Sequence, residues 1–286
     1  PPATTAGGGP TASRPVNPPF LIRNPVRKER WLNAVIYSEY GVGKTYLAAT
    51  AEDSEFFRDV LYIDAEGGDL TLQNRPDLDV VRIQEYRQLE QIKRFLIRHI
   101  QLRDAGDEAG LLELDRLVRP PDQEPRLRKY RTVVIDSLSE VFRYCMYQLT
   151  GTMVGKTQLD IEPDKAGWDE YNKSTEMIRL LVRTFRDLEI HALFLCSEKT
   201  DDKKSAPIQL NLPKQLMTEV PGFVDVVGYL AAGSSPNPAA ASTTIERRLY
   251  IQPNGKVLAK NRFTGFTAPY IVDPTMAKLE ELVKKG

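Results

Sequence analysis

The sequence predicts an α/β fold: a largely parallel central sheet flanked by helices, with a C-terminal antiparallel hairpin. Three observations carry that expectation. Short, unbroken apolar runs recur along the chain, and amphipathic helical stretches fall between them. The last third then changes to strands joined by turn-forming residues, with Asn254-Gly255 the sharpest of these. An apolar run with no polar alternation has both faces buried, as in a parallel strand covered by helices on each side.

The elements follow in order. Residues 1–19 are rich in Pro, Gly, Thr and Ala and read as a disordered tail, while residues 20–286 read as one domain. Residues 32–37 form the first core strand, and a helix starts at 46–52. Residues 59–64 and 79–83 read as the next two strands. Leu89, Ile92, Leu96 and Ile100 mark one buried helix face. A polar connection with prolines covers 104–130, with a short helix at 111–118. Residues 132–135 are a buried strand ending at Asp136. Tyr171, Ile178, Leu181, Val182, Phe185 and Leu188 mark a second long helix, and 192–196 the strand after it. Residues 226–230 read as a strand and 231–244 as a low-complexity loop. Residues 247–251 and 256–260 are expected to pair across Asn254-Gly255 as the closing hairpin.

Composition narrows the function. Lysine plus arginine equals aspartate plus glutamate at 39 each, so a constitutive polyanion binder is disfavoured and any nucleic-acid contact is local. Two cysteines, Cys145 and Cys196, sit far apart in apolar settings and read as buried free thiols. With two histidines and neither CxxC nor HExxH, a zinc site is disfavoured. There is no membrane-length apolar run and no signal-peptide pattern, so a cytoplasmic location is expected. The first residue is not methionine, and further residues are expected upstream.

The chemistry concentrates in Ser38-Glu39-Tyr40-Gly41-Val42-Gly43-Lys44-Thr45-Tyr46, between the first strand and its helix. Strand, glycine loop and helix in that order make a phosphate cradle: backbone N–H groups point inward and the helix N-terminus adds partial positive charge. Lys44 is placed to reach the β/γ-phosphates of ATP, and the Thr45 hydroxyl to help hold Mg²⁺. Ser38 departs from the first glycine of the GxxxxGK[ST] pattern. Asp136, at the end of a buried strand, is a candidate for the Mg²⁺ shell; alone it would read as a turn cap. Its neighbour Ser137 is not a glutamate, so a base must come from elsewhere. Glu66, in Ile63-Asp64-Ala65-Glu66-Gly67-Gly68, is the candidate, against the alternative of an ordinary acidic turn.

The segments IDAEGG, TVVIDSLSE, PGFVDVVGYL and VLAKNRF, with the P-loop, resemble the RecA-type ATPase core over residues 32 to the C-terminus. The similarity extends to phage-encoded RecA-like single-strand annealing proteins of the Sak type. That resemblance implies ATP and Mg²⁺, with Lys44, Glu66 and Asp136 catalytic. It also implies single-stranded DNA as partner, and a homo-oligomer, filament or ring, with ATP at subunit interfaces. Single-strand binding or replication proteins are further candidate partners, in the host cytoplasm if the chain is phage-encoded. Lys260 and Arg262 would act across the interface on a neighbour's γ-phosphate; the bland reading is a basic strand edge. The polar sensor falls on Ser197 or Glu198, which differ from RecA's glutamine. DNA-facing loops would carry Lys156, Lys165 and Trp168, and Lys199, Lys203 and Lys204. The basic run 126–131 reads as a solvated edge ahead of a nucleic-acid patch. The alternative function is a nucleotide-gated assembly or helicase-loading module with little hydrolysis.

Overall fold

Strand β1 (Asn33–Ser38) is buried at every position. Its residues alternate between two cores: Val35 and Tyr37 enter one, Ala34 and Ile36 the other. This is why the run carries no polar alternation. In the computed structural model, which describes residues 31–151, 167–199, 207–237, 242–263 and 268–285, the same double burial recurs in β2 (Val60–Asp64), β4 (Thr132–Asp136) and the first seven residues of β5 (His191–Lys199). The tail 1–19 and the basic residues Arg23, Arg27, Lys28 and Arg30 lie outside the described residues.

The sheet order is β3-β2-β4-β5-β1-β7-β8-β9, with β3 (Asp79–Arg82), β7 (Val226–Asn237), β8 (Ser242–Tyr250) and β9 (Ile271–Val272) completing the path. Strands β3 through β7 along this path are parallel, and β8 and β9 are antiparallel to their neighbours. Short β6 (Gln209–Leu210) pairs antiparallel with the end of β5. One face is covered by α2 (Tyr86–Ala105), α4 (Leu138–Leu149), α5 (Trp168–Asp187) and α6 (Lys214–Phe223). The other is covered by α1 (Lys44–Ala49) and α7 (Met276–Lys285). Helix α3 (Glu108–Arg116) begins earlier than its apolar residues indicate, because Asp107 caps it by accepting the Gly110 N–H at 2.8 Å.

The C-terminal hairpin is present, but its strands differ from those expected. Strands β7 and β8 form it, and residues 231–237 and 242–244, expected as loop, are strand. Residues 256–260 do not pair back on 247–251. On the side of β8 away from β7, β9 pairs with Arg248 and Leu249, the positions in the middle of the expected 247–251 strand. The segment instead makes isolated bridges, Val257 with Ile208 and Lys260 with Val227. The Asn254 carboxamide sets the turn by accepting the N–H groups of Lys256 and Val257 at 3.0 and 3.1 Å.

The basic run 126–131 is consumed by the fold. Arg128 pairs with Glu52, Asp59 and Asp79, and Lys129 with Glu108. Asp79 also accepts from Arg119 at 3.0 Å and from the Tyr130 hydroxyl at 2.8 Å. Both cysteines are buried and free, as expected, and burial pushes the Cys196 thiol up to about 12. No helix among the described residues is long and apolar enough to cross a membrane.

Candidate active site

Because β1, β2, β4 and β5 run parallel, their C-terminal ends meet at one edge of the sheet. Ser38 lies level with Ser197, and Asp64 with Asp136. The chain leaves β1 there and turns through Gly41 (φ 75°) and Gly43 (φ 109°), conformations that a side chain resists. Lys44 is buried at the start of α1. Its ammonium donates to the Glu39 carbonyl at 3.0 Å and to the Ser38 carbonyl and hydroxyl, each at 3.3 Å. The loop thus closes around its own lysine. Ser38 is not among the residues with positive φ, so its position asks for no glycine, and its hydroxyl donates to the Glu39 carbonyl at 2.7 Å. Tyr40 in the loop and Tyr46 in α1 are exposed, the Tyr40 ring 5.7 Å from the Lys44 ammonium.

Asp136 faces this loop. One carboxylate oxygen, Oδ2, accepts the Thr45 hydroxyl at 2.7 Å and the Tyr62 hydroxyl at 2.6 Å. The other, Oδ1, is buried without a hydrogen-bond partner among the described residues. Burial pushes this carboxyl up to about 6, against the pull of the two hydroxyl donors. Burial, with Asp136 beside it, also holds the Tyr62 phenol well above its ordinary value, so the hydroxyl keeps its proton to donate.

Glu66 lies just past β2, in a turn built by Asp64. The Asp64 carboxylate accepts the N–H groups of Gly67 and Gly68 at 2.8 and 3.2 Å, while Gly67 adopts φ 76°. The N–H groups of Ala65 and Glu66 donate to the Asp136 carbonyl at 2.6 and 3.2 Å, stitching the two strand ends together. The Ser137 hydroxyl donates to the Glu66 carboxylate. Lys44 and Thr45, Asp136 and Glu66 therefore stand at one edge, joined by a chain of contacts.

The two sensor candidates have different surroundings. Ser197 is buried in a net with Ser139 at 3.0 Å and Asn211 at 3.1 Å. Glu198 has a buried oxygen without a partner, and burial raises its carboxyl while the Tyr229 hydroxyl bonds to it. Ser197 lies level with Ser38, and Glu198 follows it at the end of β5.

Lys260 and Arg262 are not brought to this loop. The Lys260 ammonium donates to the carbonyls of Pro221 and Val224 at 2.6 and 2.9 Å. Arg262 donates to the Gly222 carbonyl at 3.0 Å and to Asp225 at 3.2 Å. Both cap the C-terminal end of α6, whose orphan carbonyls attract cations. These groups precede β7, which is parallel to β1, so they lie at the opposite edge of the sheet.

Trp168 is 80% exposed at the first turn of α5, its ring edge-on to Tyr171 at 6.3 Å. With Pro213 and Lys214 they border a cavity of about 510 Å³. Lys199 ends β5 opposite Gln209. Lys156, Lys165, Lys203 and Lys204 lie outside the described residues.

One residue at the loop escaped the sequence reading. Arg247 of β8 donates Nε–H to the Val42 carbonyl at 2.9 Å and covers Gly43, where a Cβ would stand 3.2 Å from Nε. Sequence offers no signal for it, since a basic pair on a strand reads as a solvated face.

A family model described as an AAA domain matches residues 31–263, which spans β1 through the segment after β8. The chain belongs to the AAA domain family. The match includes the loop, Glu66, Asp136 and Arg247. Nothing among curated proteins matches the chain. Membership in the AAA domain family indicates a P-loop NTPase, with nucleotide binding and hydrolysis as the chemistry and Mg²⁺ as its usual companion. The residues fit that role: two glycines open the cradle, the Thr45 hydroxyl and Asp136 converge, and Asp136 holds a buried oxygen in reserve.

Proposed function

We propose that this AAA-domain protein hydrolyses ATP as a RecA-like oligomer acting on single-stranded DNA, in phage recombination or annealing. The observation that carries the reading is the position of Glu66. The residue after Asp136 is Ser137, and its hydroxyl holds the Glu66 carboxylate beside Asp136. A base supplied from β2 rather than from β4 is the RecA-type arrangement that the IDAEGG and TVVIDSLSE segments resemble.

In this reading the loop N–H groups and Lys44 bind the phosphates, and Thr45 with Asp136 holds Mg²⁺, which spreads the phosphate charge. Glu66 orients and deprotonates the attacking water once Ser137 releases it. Lys260 and Arg262 lie at the sheet edge away from their own loop, which suits a role toward a neighbouring subunit's nucleotide. Trp168 offers a base-stacking surface to single-stranded DNA.

A nucleotide-gated assembly or helicase-loading module is the alternative function. Lys260 and Arg262 are both occupied as caps of α6, and Glu66 is held by Ser137, as in a subunit that binds nucleotide to lock an assembly and turns over little. ATP turnover with and without single-stranded DNA separates the two. DNA stimulation supports the recombination reading, whereas tight ATP binding with turnover indifferent to DNA and to Glu66→Gln supports the assembly module.

A further inference from the structure

Arg247 is a second cation on the phosphate loop, and its guanidinium is only partly committed. Its backbone is fixed on both sides: its N–H donates to Asp273 Oδ1 at 3.1 Å, and its carbonyl accepts the Asp273 N–H at 2.7 Å. Asp273 thereby spends itself on backbone groups. The side chain reaches the loop by one bond, Nε–H to the Val42 carbonyl. Among the described residues no carboxylate pairs with the guanidinium, and its two terminal NH₂ groups have no hydrogen-bond partner. A half-buried guanidinium anchored by one of its five donors leaves four N–H vectors in a rigid fork.

The sheet order says which part of a nucleotide this fork meets. Asp136 on β4 and Glu66 after β2 lie on one side of β1, and β8 lies on the other. The carboxylates mark the end where the terminal phosphate would be attacked. Arg247 approaches Gly43 from the opposite flank, at the N-terminus of α1. We infer that Arg247 is a nucleotide ligand supplied in cis, its terminal NH₂ groups donating to the α/β-phosphate segment while Nε keeps its hold on Val42. The inference rests on the nucleotide-binding reading of the loop. It adds a phosphate cation from the β7–β8 hairpin to the one from α1.

The test uses the full chain with ADP as the probe. Arg247→Gln keeps an amide able to donate to the Val42 carbonyl but removes the charge and the fork. Titration calorimetry should show ADP binding weakened by about tenfold or more, with the unliganded melting temperature close to that of the parent. An unchanged ADP affinity in Arg247→Gln would overturn the inference and leave nucleotide binding itself intact. Failure of the parent protein to bind ADP would remove the nucleotide reading and this inference together. If the variant does not fold, the parent protein still decides: phenylglyoxal labelling read by mass spectrometry should modify Arg247 without ligand and spare it with saturating ADP. Equal labelling in both would count against the contact.

Discussion

Thr45 and Asp136, 91 positions apart in the chain, share a hydrogen bond of 2.7 Å. It joins the first turn of α1 to the end of β4 and defines where a metal–phosphate unit would sit. The Tyr62 hydroxyl shares the same carboxylate oxygen, leaving the second oxygen buried and unspent. This is a costly arrangement for a protein without ligand, because a buried carboxylate without full hydrogen bonding destabilises the fold.

The cost has a pH signature. The Asp136 carboxyl rises from 3.8 to about 6, so between those values the folded state binds the extra proton. Its contribution to stability therefore falls as pH rises through this window, and the penalty is complete above the higher value, on the order of 3 kcal/mol. Asp136→Asn should make the unliganded protein more stable than its parent near neutral pH, with the difference shrinking towards pH 4. Urea denaturation of both proteins across that range measures it. A variant less stable at neutral pH would show that the carboxylate is better satisfied than its surroundings indicate.

Glu66→Gln should leave ATP binding near its parent value and slow hydrolysis by about a hundredfold or more, the usual share of a general base. Ser137→Ala removes the hydroxyl that holds Glu66 without touching the loop. Its turnover should equal or exceed that of the parent. Steady-state phosphate release checks both, and an Ser137→Ala protein as slow as Glu66→Gln would make Ser137 a participant instead of a restraint.

Much of this site is legible in the sequence because parallel strands with two buried faces read as unbroken apolar runs, and each run ends at a polar residue on the same edge. Ser38, Asp64 and Asp136 are such ends. What is not legible depends on pairings that local sequence does not specify. Asn254-Gly255 looks like a hairpin turn, yet β9 takes the place beside Arg248 and Leu249 that residues 256–260 would need. Arg247 acquires its place at Gly43 only through the order of β1, β7 and β8. Lys260 and Arg262 cap a helix, α6, that contains Pro221 and Gly222 and so has little helical signature.

Lys260→Ala and Arg262→Ala each remove a cation from the end of α6, a loss of about 1 kcal/mol in stability. If these residues also serve a neighbour, each variant should be inactive alone but regain part of its turnover when mixed with Glu66→Gln protein. In the mixture, a Glu66→Gln subunit lends its intact cations to a site with an intact base. Turnover in the mixture equal to the average of the two separate proteins would confine Lys260 and Arg262 to capping α6.

Gly43→Ala should impair the loop for two reasons at once. A side chain resists φ 109°, and its Cβ would stand 3.2 Å from Arg247 Nε. The expected loss is about 1 kcal/mol of stability or more, accompanied by weaker ADP binding. Thermal unfolding with and without ADP tests this, and a variant with parental melting and parental ADP shift would mean that the loop relaxes freely around the added methyl.

In the proposed function Lys44, Asp136 and Glu66 work on one triphosphate, under the control of single-stranded DNA. Single-turnover hydrolysis of ATP with Mg²⁺, comparing the parent with Glu66→Gln in the presence and absence of single-stranded DNA, tests it most directly. The expected result is hydrolysis that DNA accelerates in the parent and that collapses in the variant while ATP stays bound. Hydrolysis that ignores both the DNA and the loss of the Glu66 carboxylate would contradict it.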